Sequence, residues 1–485
     1  MGSIPTSDFD TIIFDLGNVL IKMPPQVPEA TETSSIPTLR RLVSTSTWMR
    51  YECGQLDETQ CYEMLGKKFG LPPSAIAKVI SEARDTLEYD TAIISWIRGL
   101  MDETHGPLKL IAVWRIPIPE HTALYKRWGD ELSSTFDEIL TSSTIGIRQP
   151  DLGFYRHVLK ATRRDPGRTI LIDSDVRNLV AACSLGMRSI PYKTLPALSR
   201  TMKNVLYDPL IRGDMFLNRN AKHLHPETDC GTVLMENFVQ LLILDVTSDE
   251  NLIVLKKPDY IHQTTWNYYI EPPSFTNLKT PNDLDTTSLA LQVMPPDNDT
   301  ITSIFDNMLE YLNPDGIPYV YYDRTRPRID PIVCLNILTT FHKYQRGDQL
   351  SQARNWIWDI LLHRAYLHGT YYYRSAEWFF FWVYRFIKDA TYYPNIQEQF
   401  TSLLKQRIQE RIGMPGDALA LAMRLMVCGF VDVRNYQDMQ RLKELQCEDG
   451  GWERGYLYSI PIVGKDVFDR GFTTALAMQA IRVEC

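Results

Sequence analysis

The sequence predicts two domains of different class, an α/β domain followed by an all-α domain, and three observations predict it. The chain has 485 residues, more than one ordinary core holds, so two domains of roughly 200 to 250 residues are expected. Over about the first 195 residues, short apolar strands alternate with helical stretches, the pattern of a doubly wound parallel sheet. From roughly residue 235 the apolar spacing turns helical and aromatic residues crowd in.

The first strand is TIIFDL, at 11–16. Residues from about 25 to 95 carry no strand signal and read as a helical insertion, placed as a cap. DTAIISWIRGLMDE is amphipathic, LKLIAVW is a second strand and TILIDS a third. After Gly186-Met187 and the proline-containing SIPYKTLPALSR, strand signals fade. The expected division is 1–200, a linker over 201–230, and a helical domain over 231–485. In that domain, turns such as NPDGIP and CEDGGW punctuate long apolar helices. The stretch 371–386, YYYRSAEWFFFWVYRF, holds ten aromatics in sixteen positions, too many on too many faces for a surface helix. Two readings stand: an aromatic core, or the wall of a cavity for a cationic apolar species, since ring faces attract positive charge without acting as bases.

Composition excludes several classes. With 51 basic and 59 acidic residues and a net charge of −8, no broad basic surface is available to nucleic acid or an anionic membrane. An anionic ligand has to be met by a local cluster. Eight cysteines, at 53, 61, 183, 230, 334, 428, 447 and 485, form no CxxC pair, which fits reduced intracellular thiols. MGSIPTSDFD has no basic or apolar leader region, and no apolar run approaches the roughly 18 residues of a membrane span. A cytoplasmic protein with no membrane insertion is expected.

Two acidic sites compete for the chemistry. Asp15 ends the first strand, where open α/β sheets place their ligands, and a carboxylate there can attack phosphorus. PNDLDTTSLA, at 281–290, sets Asp283 and Asp285 two apart and follows them with Thr286 and Thr287. A helix N-cap, a solvated turn and a metal site all fit that pattern, but capping needs only one carboxylate. A carboxyl group that protonates an alkene has to be neutral, poorly hydrated and held by a neighbour that fixes its proton.

FDLGNV, IAVW, GIRQPD and LIDSD, followed by Asn178 and Gly186-Met187, resemble in order and spacing the motifs of the haloacid dehalogenase superfamily over about residues 8–195. The resemblance implies a Rossmannoid domain with a helical cap, in which Asp15 and Asp173 are the magnesium ligands. It also implies a degenerate phosphatase site. Gly17 stands at the general-acid position, Trp114 where a hydroxyl holds phosphate, and Gln149 at the lysine, while Ser174 separates Asp173 from Asp175. A lost lysine removes a full charge from a site built for a dianion, so an inactive scaffold is expected.

DLDTT resembles the acid motif of class II terpene cyclases, and QCEDGGW, at 446–452, resembles their Q-x3-G-x-W turn repeat, with an echo in NPDGIPYVYYD. By that resemblance Asp285 donates the proton, Asp283 orients it, and Thr286 and Thr287 replace a further carboxylate. The DDxxD motif of the metal-ionising terpene synthases is absent, and the overlap starting at Asn282-Asp283 meets Ala290 where a glutamate is required. The fusion of both parts resembles the drimane-type sesquiterpene cyclases. It implies an α/α-barrel of the terpene cyclase β-domain type, farnesyl diphosphate as substrate, and a bicyclic drimane-type diphosphate as product. Mg2+ is expected with the diphosphate, and a separate downstream phosphatase would complete the pathway. Trp266, Trp378, Phe381 and Tyr384 are candidates for the pocket wall. Arg326, Arg374, Lys465 and Arg470, with Arg324 and Arg454, are candidates for the diphosphate grip. Three alternatives stay open: a bifunctional cyclase-phosphatase releasing the drimane alcohol, a dehalogenase-type phosphatase acting on prenyl phosphates, and a non-enzymatic prenyl-diphosphate binder.

Overall fold

The computed structural model describes residues 9–22, 39–103, 108–272 and 280–484. The chain divides into two compact units, 1–208 and 209–485. The expected linker over 201–230 is largely helical instead, since Leu195–Leu206 and Pro209–Arg219 are helices. Pro196 and Pro209 sit in first turns, where a missing N–H breaks no hydrogen bond, so they open helices.

In the first unit five parallel strands run in the order Glu138–Thr141, Lys109–Trp114, Thr11–Asp15, Thr169–Asp173, Arg188–Pro191. The three central strands are the ones the apolar runs announce; Thr11–Asp15 and Thr169–Asp173 are buried at every position. The two edge strands, EILT and RSIP, have four residues each and half-exposed faces, too little pattern to stand out. Between the first two sequence strands come the helices Leu39–Val43, Ser46–Glu52, Glu58–Phe69 and Pro73–Asp85. Leu42, Trp48, Tyr51, Cys61, Leu65 and Ile76 give them a core of their own. Positions 25–38 of the expected cap lie outside the described residues.

In the second unit six helices pack each on the next and the last on the first: Asn237–Thr247, Leu284–Val293, Pro331–Lys343, Ala376–Asp389, Ala418–Phe430 and Gly471–Glu484. They close a ring. Its helices are apolar nearly all round, as a buried inner layer requires. Pro209–Arg219, Ser351–Leu362, Pro394–Gln409 and Tyr436–Glu444 pack against ring helices and carry more polar residues. The QCEDGGW turn fastens one such junction. Gln446 Nε2 donates to Pro209 O (2.9 Å) and Gly450 O (2.8 Å), and Trp452 Nε1 donates to Leu442 O (2.7 Å). Gly450 has φ +94°, and a Cβ there would lie 2.3 Å from Arg212 O, so glycine is required. No described helix is long and apolar enough to cross a membrane.

Candidate active site

The DLDTT segment is pinned before it becomes a helix. Asp283 N donates to Trp266 O (3.1 Å), Leu284 N to Val320 O (2.9 Å) and Tyr322 N to Asn282 O (3.0 Å). Asp283 is thereby held extended as the N-cap of Leu284–Val293, its Oδ1 accepting from Thr286 N at 2.6 Å. Thr287 donates to Asp283 O (2.7 Å) and accepts from Trp266 N (2.9 Å), tying the helix start to the preceding loop. One carboxylate caps, which leaves Asp285 in the first turn for something else.

Asp285 Oδ1 accepts from Asn336 Nδ2 at 2.6 Å, and the same amide donates to the Asp285 carbonyl at 2.9 Å. The Tyr373 hydroxyl lies 3.2 Å from Oδ2. Asp283 and Asp285 are 1% and 4% exposed. Burial pushes Asp285 up to about 7, with Asn336 and Tyr373 pulling it down and Asp330 adding to the rise. Burial pushes Asp283 up to about 8, against the hydrogen bond from Thr286 N and with a contribution from Asp285. Buried carboxyls whose affinity for a proton is raised toward neutral pH have the property alkene protonation demands.

Both line a cavity in whose wall tyrosine is the commonest residue: Tyr268, Tyr269, Tyr321, Tyr372, Tyr373 and Tyr458. Several of their hydroxyls are engaged, Tyr458 with the buried Glu236 and Tyr321 with Tyr372 at 3.2 Å. The four aromatic candidates from the sequence are not among the residues lining this cavity. Trp266 is buried behind Asp283, its Nε1 donating to Tyr260 (3.0 Å). Trp378 lines a second cavity with Glu377, Asp417 and Tyr456, and stacks on Phe472. Phe381 packs beside Phe472, and Tyr384 beside Phe430. Helical periodicity drew attention to Ala376–Asp389, whereas the wall tyrosines sit in irregular segments and a strand where no period marks them. The run of three tyrosines before that helix was the available signal.

The cations proposed for a diphosphate grip are scattered among partners. Arg326 lies 3.4 Å from Asp323, Arg374 3.0 Å from Asp466, and Arg454 3.0 Å from Glu227. Arg470 makes a two-pronged contact with Asp449 (2.8 and 3.0 Å), and Arg324 lies 3.9 Å from Glu310. Lys465 Nζ is 2.7 Å from Cys230 Sγ, which pulls that thiol down to about 6. Arg328, which the sequence reading passes over, sends Nη1 to the Tyr372 hydroxyl (3.3 Å) and stands over the Tyr371 ring. No carboxylate lies within ion-pair distance of it among the described residues.

At the carboxyl ends of Thr11–Asp15 and Thr169–Asp173 a second acidic pair is buried. Burial, and then Asp173, raise Asp15 well above the usual carboxylate range, while Arg115 pulls it down. Asp173 accepts from Asp175 N (2.7 Å) and Asn178 Nδ2 (2.9 Å), and Gln149 Nε2 lies 3.4 Å from Asp15 Oδ1. Asp175 caps the next helix and pairs with Arg177. The Trp114 indole lies 3.9 Å from where a Cβ on Gly17 would stand. Among the described residues no group of three or more His, Cys, Asp or Glu could hold a metal. The two carboxylates are oxygen donors of the kind magnesium takes, and Gln149 Oε1 and Asn178 Oδ1 are buried without a partner while their amide nitrogens face Asp15 and Asp173.

Residues 210–344 match the family described as the sesquiterpene cyclase astC-like C-terminal domain. The chain is 36% identical over 471 residues to drimenol cyclase drtB of Aspergillus calidoustus, covering 97% of this chain and 87% of that protein. It is 32% identical over 182 residues to sesquiterpene phosphatase astK of Aspergillus oryzae, covering 37% of this chain and 87% of that protein. A HAD family enzyme of Bacteroides thetaiotaomicron, solved as a magnesium complex, is 14% identical, with a TM-score of 0.33 and coverage of 40% of this chain and 99% of that one. The chain is a terpene cyclase and belongs to the drimane-type sesquiterpene cyclase family, in which a haloacid dehalogenase-like part is fused to a class II cyclase part.

Proposed function

We propose that this cyclase protonates farnesyl diphosphate with Asp285 and releases a bicyclic drimane-type diphosphate. The observation that carries the reading is the Asp285 carboxyl, buried at the edge of a cavity lined by tyrosines and pushed by that burial toward its neutral form. Its proton passes to the distal alkene, the tertiary cation closes two rings under the tyrosine faces, and a proton leaves the bicyclic cation. Asp283 acts through the backbone it caps. Arg328 is the cation assigned to the diphosphate, since it stands beside the cavity's Tyr372 without a carboxylate partner. The helical ring is read as the inner layer of an α/α-barrel. Incubation with farnesyl diphosphate, followed by phosphatase treatment and mass analysis, tests the reading. Bicyclic product is expected from the wild type and none from Asp285→Asn; undiminished product from that variant overturns it.

The diphosphate stays on the product because the Asp15 site lacks the lysine, hydroxyl and second adjacent carboxylate of a working phosphatase, and a separate phosphatase then acts. One observation favours a second reading, in which the chain also makes the alcohol. Arg115, 3.6 Å from Glu52, also pulls Asp15, Asp173 and Asp175 down, so a positive charge acts on the acidic cluster although the lysine is lost. Drimenol cyclase drtB is named for an alcohol, and the length matched to the phosphatase astK suits the first unit. Magnesium bound at Asp15 and Asp173 would offset their repulsion and neutralise phosphate charge. Phosphate released in step with turnover, and lost in Asp15→Asn, would establish the second reading; its absence would support retention.

A further inference from the structure

A chain of one-way hydrogen bonds reaches the acid from a permanently charged guanidinium. Arg385, on Ala376–Asp389, pairs with Asp245 through Nη1 and sends Nη2 to Gln292 Oε1 at 2.9 Å. A guanidinium only donates, so Gln292 must turn its oxygen toward Arg385 and its NH2 away. Gln292 Nε2 then reaches Asn336 Oδ1 at 2.7 Å and Thr340 Oγ1 at 2.8 Å. With its oxygen occupied, Asn336 presents Nδ2 to Asp285 Oδ1 (2.6 Å) and to the Asp285 carbonyl (2.9 Å), which only accepts. Gln292 and Asn336 are 8% and 0% exposed, so water offers them little alternative.

Taking Asp285 as the acid, we propose that Arg385 and Gln292 are positioning residues that fix the transferable proton on Asp285 Oδ2, the oxygen beside Tyr373 of the cavity wall. A protonated Oδ1 would point its hydrogen at the Asn336 NH2. Turning Asn336 to accept that hydrogen would set its oxygen against the Asp285 carbonyl and its NH2 against that of Gln292. The polarity of three ring helices, Ala376–Asp389, Leu284–Val293 and Pro331–Lys343, thereby selects one of two acid tautomers. Asp283, Asp330 and Tyr373 face the acid end of the relay; Asp245, Asp389, Tyr384 and Lys343 face the guanidinium end.

The full chain tests this with Gln292→Met and Arg385→Met, against Arg385→Lys, which keeps a donor-only group. The readouts are melting temperature, kcat and KM with farnesyl diphosphate, and an infrared pH titration of the protonated carboxyl band that disappears in Asp285→Asn. Both Met variants are expected to lose about tenfold or more in kcat with KM within about twofold. The titration midpoint should rise by about one pH unit, since a turned Asn336 accepts from the neutral acid. Arg385→Lys should keep both near the wild-type values. An unmoved midpoint and kcat in Gln292→Met overturn the proposal, as does a kcat loss that tracks melting temperature while the midpoint stays. The infrared titration needs no substrate. A wild type that makes no bicyclic product therefore overturns the cyclase reading alone, and the midpoint still decides the relay.

Discussion

Each unit buries a pair of aspartates at the end of a regular element, and the two pairs are set for opposite work. Around Asp283 and Asp285 the hydrogen-bond donors are an amide, a tyrosine hydroxyl and backbone N–H, with no guanidinium in direct contact with either carboxyl, so burial dominates and favours the protonated forms. Around Asp15 and Asp173 burial is as deep, but Arg115 pulls both carboxyls down and orphaned amide oxygens stand nearby. On the proposed reading the first pair gives a proton and the second holds a cation. The charge of the neighbours, not the residue type, makes the difference.

The largest expected effect separates the two pairs directly. Asp285→Asn should lower cyclisation by about 10²–10⁴-fold, the range general acids contribute, while Asp15→Asn leaves the rate of bicycle formation unchanged. Measured side by side by mass analysis of products, equal losses in the two variants would mean the pairs are not functionally distinct. Next in size is Arg328→Gln. Charged hydrogen bonds contribute about 1.5–3 kcal/mol, so KM for farnesyl diphosphate should rise about tenfold or more with the product unchanged. An unchanged KM would place the diphosphate elsewhere.

The same comparison shows what the sequence makes legible. Asp15 and Asp285 are both picked out as candidates from the sequence, because a carboxylate after an apolar strand and a D-x-D-T-T before an apolar helix are local patterns. Asn336 and Gln292 were not found. They lie on ring helices whose composition looks like ordinary core, and only the packing of Leu284–Val293 on Pro331–Lys343 brings Asn336 to Asp285. Arg115 follows a buried strand and carries no pattern of its own. The three central strands were legible because unbroken apolar runs, IIF, LIAVW and ILI, leave little alternative between turn-forming segments. The division between 208 and 209 falls inside the expected 201–230 linker, but the helices there are not legible, because proline reads as a break from sequence and serves as a helix start in space.

A smaller effect tests which aromatics matter. Tyr373→Phe removes the hydroxyl at Asp285 Oδ2, a net loss of about 0.5–1.5 kcal/mol, so kcat should fall by roughly 3- to 10-fold. That hydroxyl holds Asp285 down. In the wild type kcat should decline as pH rises through about 7, and in Tyr373→Phe the decline should come at higher pH. Phe381→Leu, in the core, should leave the product ratio as it is and reduce stability by about 1 kcal/mol. A shifted product ratio in Phe381→Leu would mean the cavity extends to Ala376–Asp389.

A last test lies in the pH dependence of stability, where the two pairs should behave alike. Asp285 is raised from 3.8 to about 7, and Asp15 is raised well above 3.8. Between the unfolded and folded values the native state keeps a proton that the unfolded chain has released. Stability therefore falls as pH rises through that window, by about 1.4 kcal/mol per pH unit for each such group. Below pH 3.8 both states hold the proton and the difference vanishes. Asp285→Asn and Asp15→Asn each remove one of these protons from the balance, so each variant should unfold at higher denaturant than the wild type at pH 7 and lose that advantage as the pH approaches 4. Magnesium should break the symmetry. A cation between Asp15 and Asp173 favours their ionised forms and erases the Asp15→Asn advantage while leaving that of Asp285→Asn intact. Denaturant titrations of the three proteins at several pH values, with and without magnesium, measure this. A magnesium effect on Asp285→Asn as large as that on Asp15→Asn would show that both pairs hold cations, and the assignment of the DLDTT pair to proton transfer would not stand.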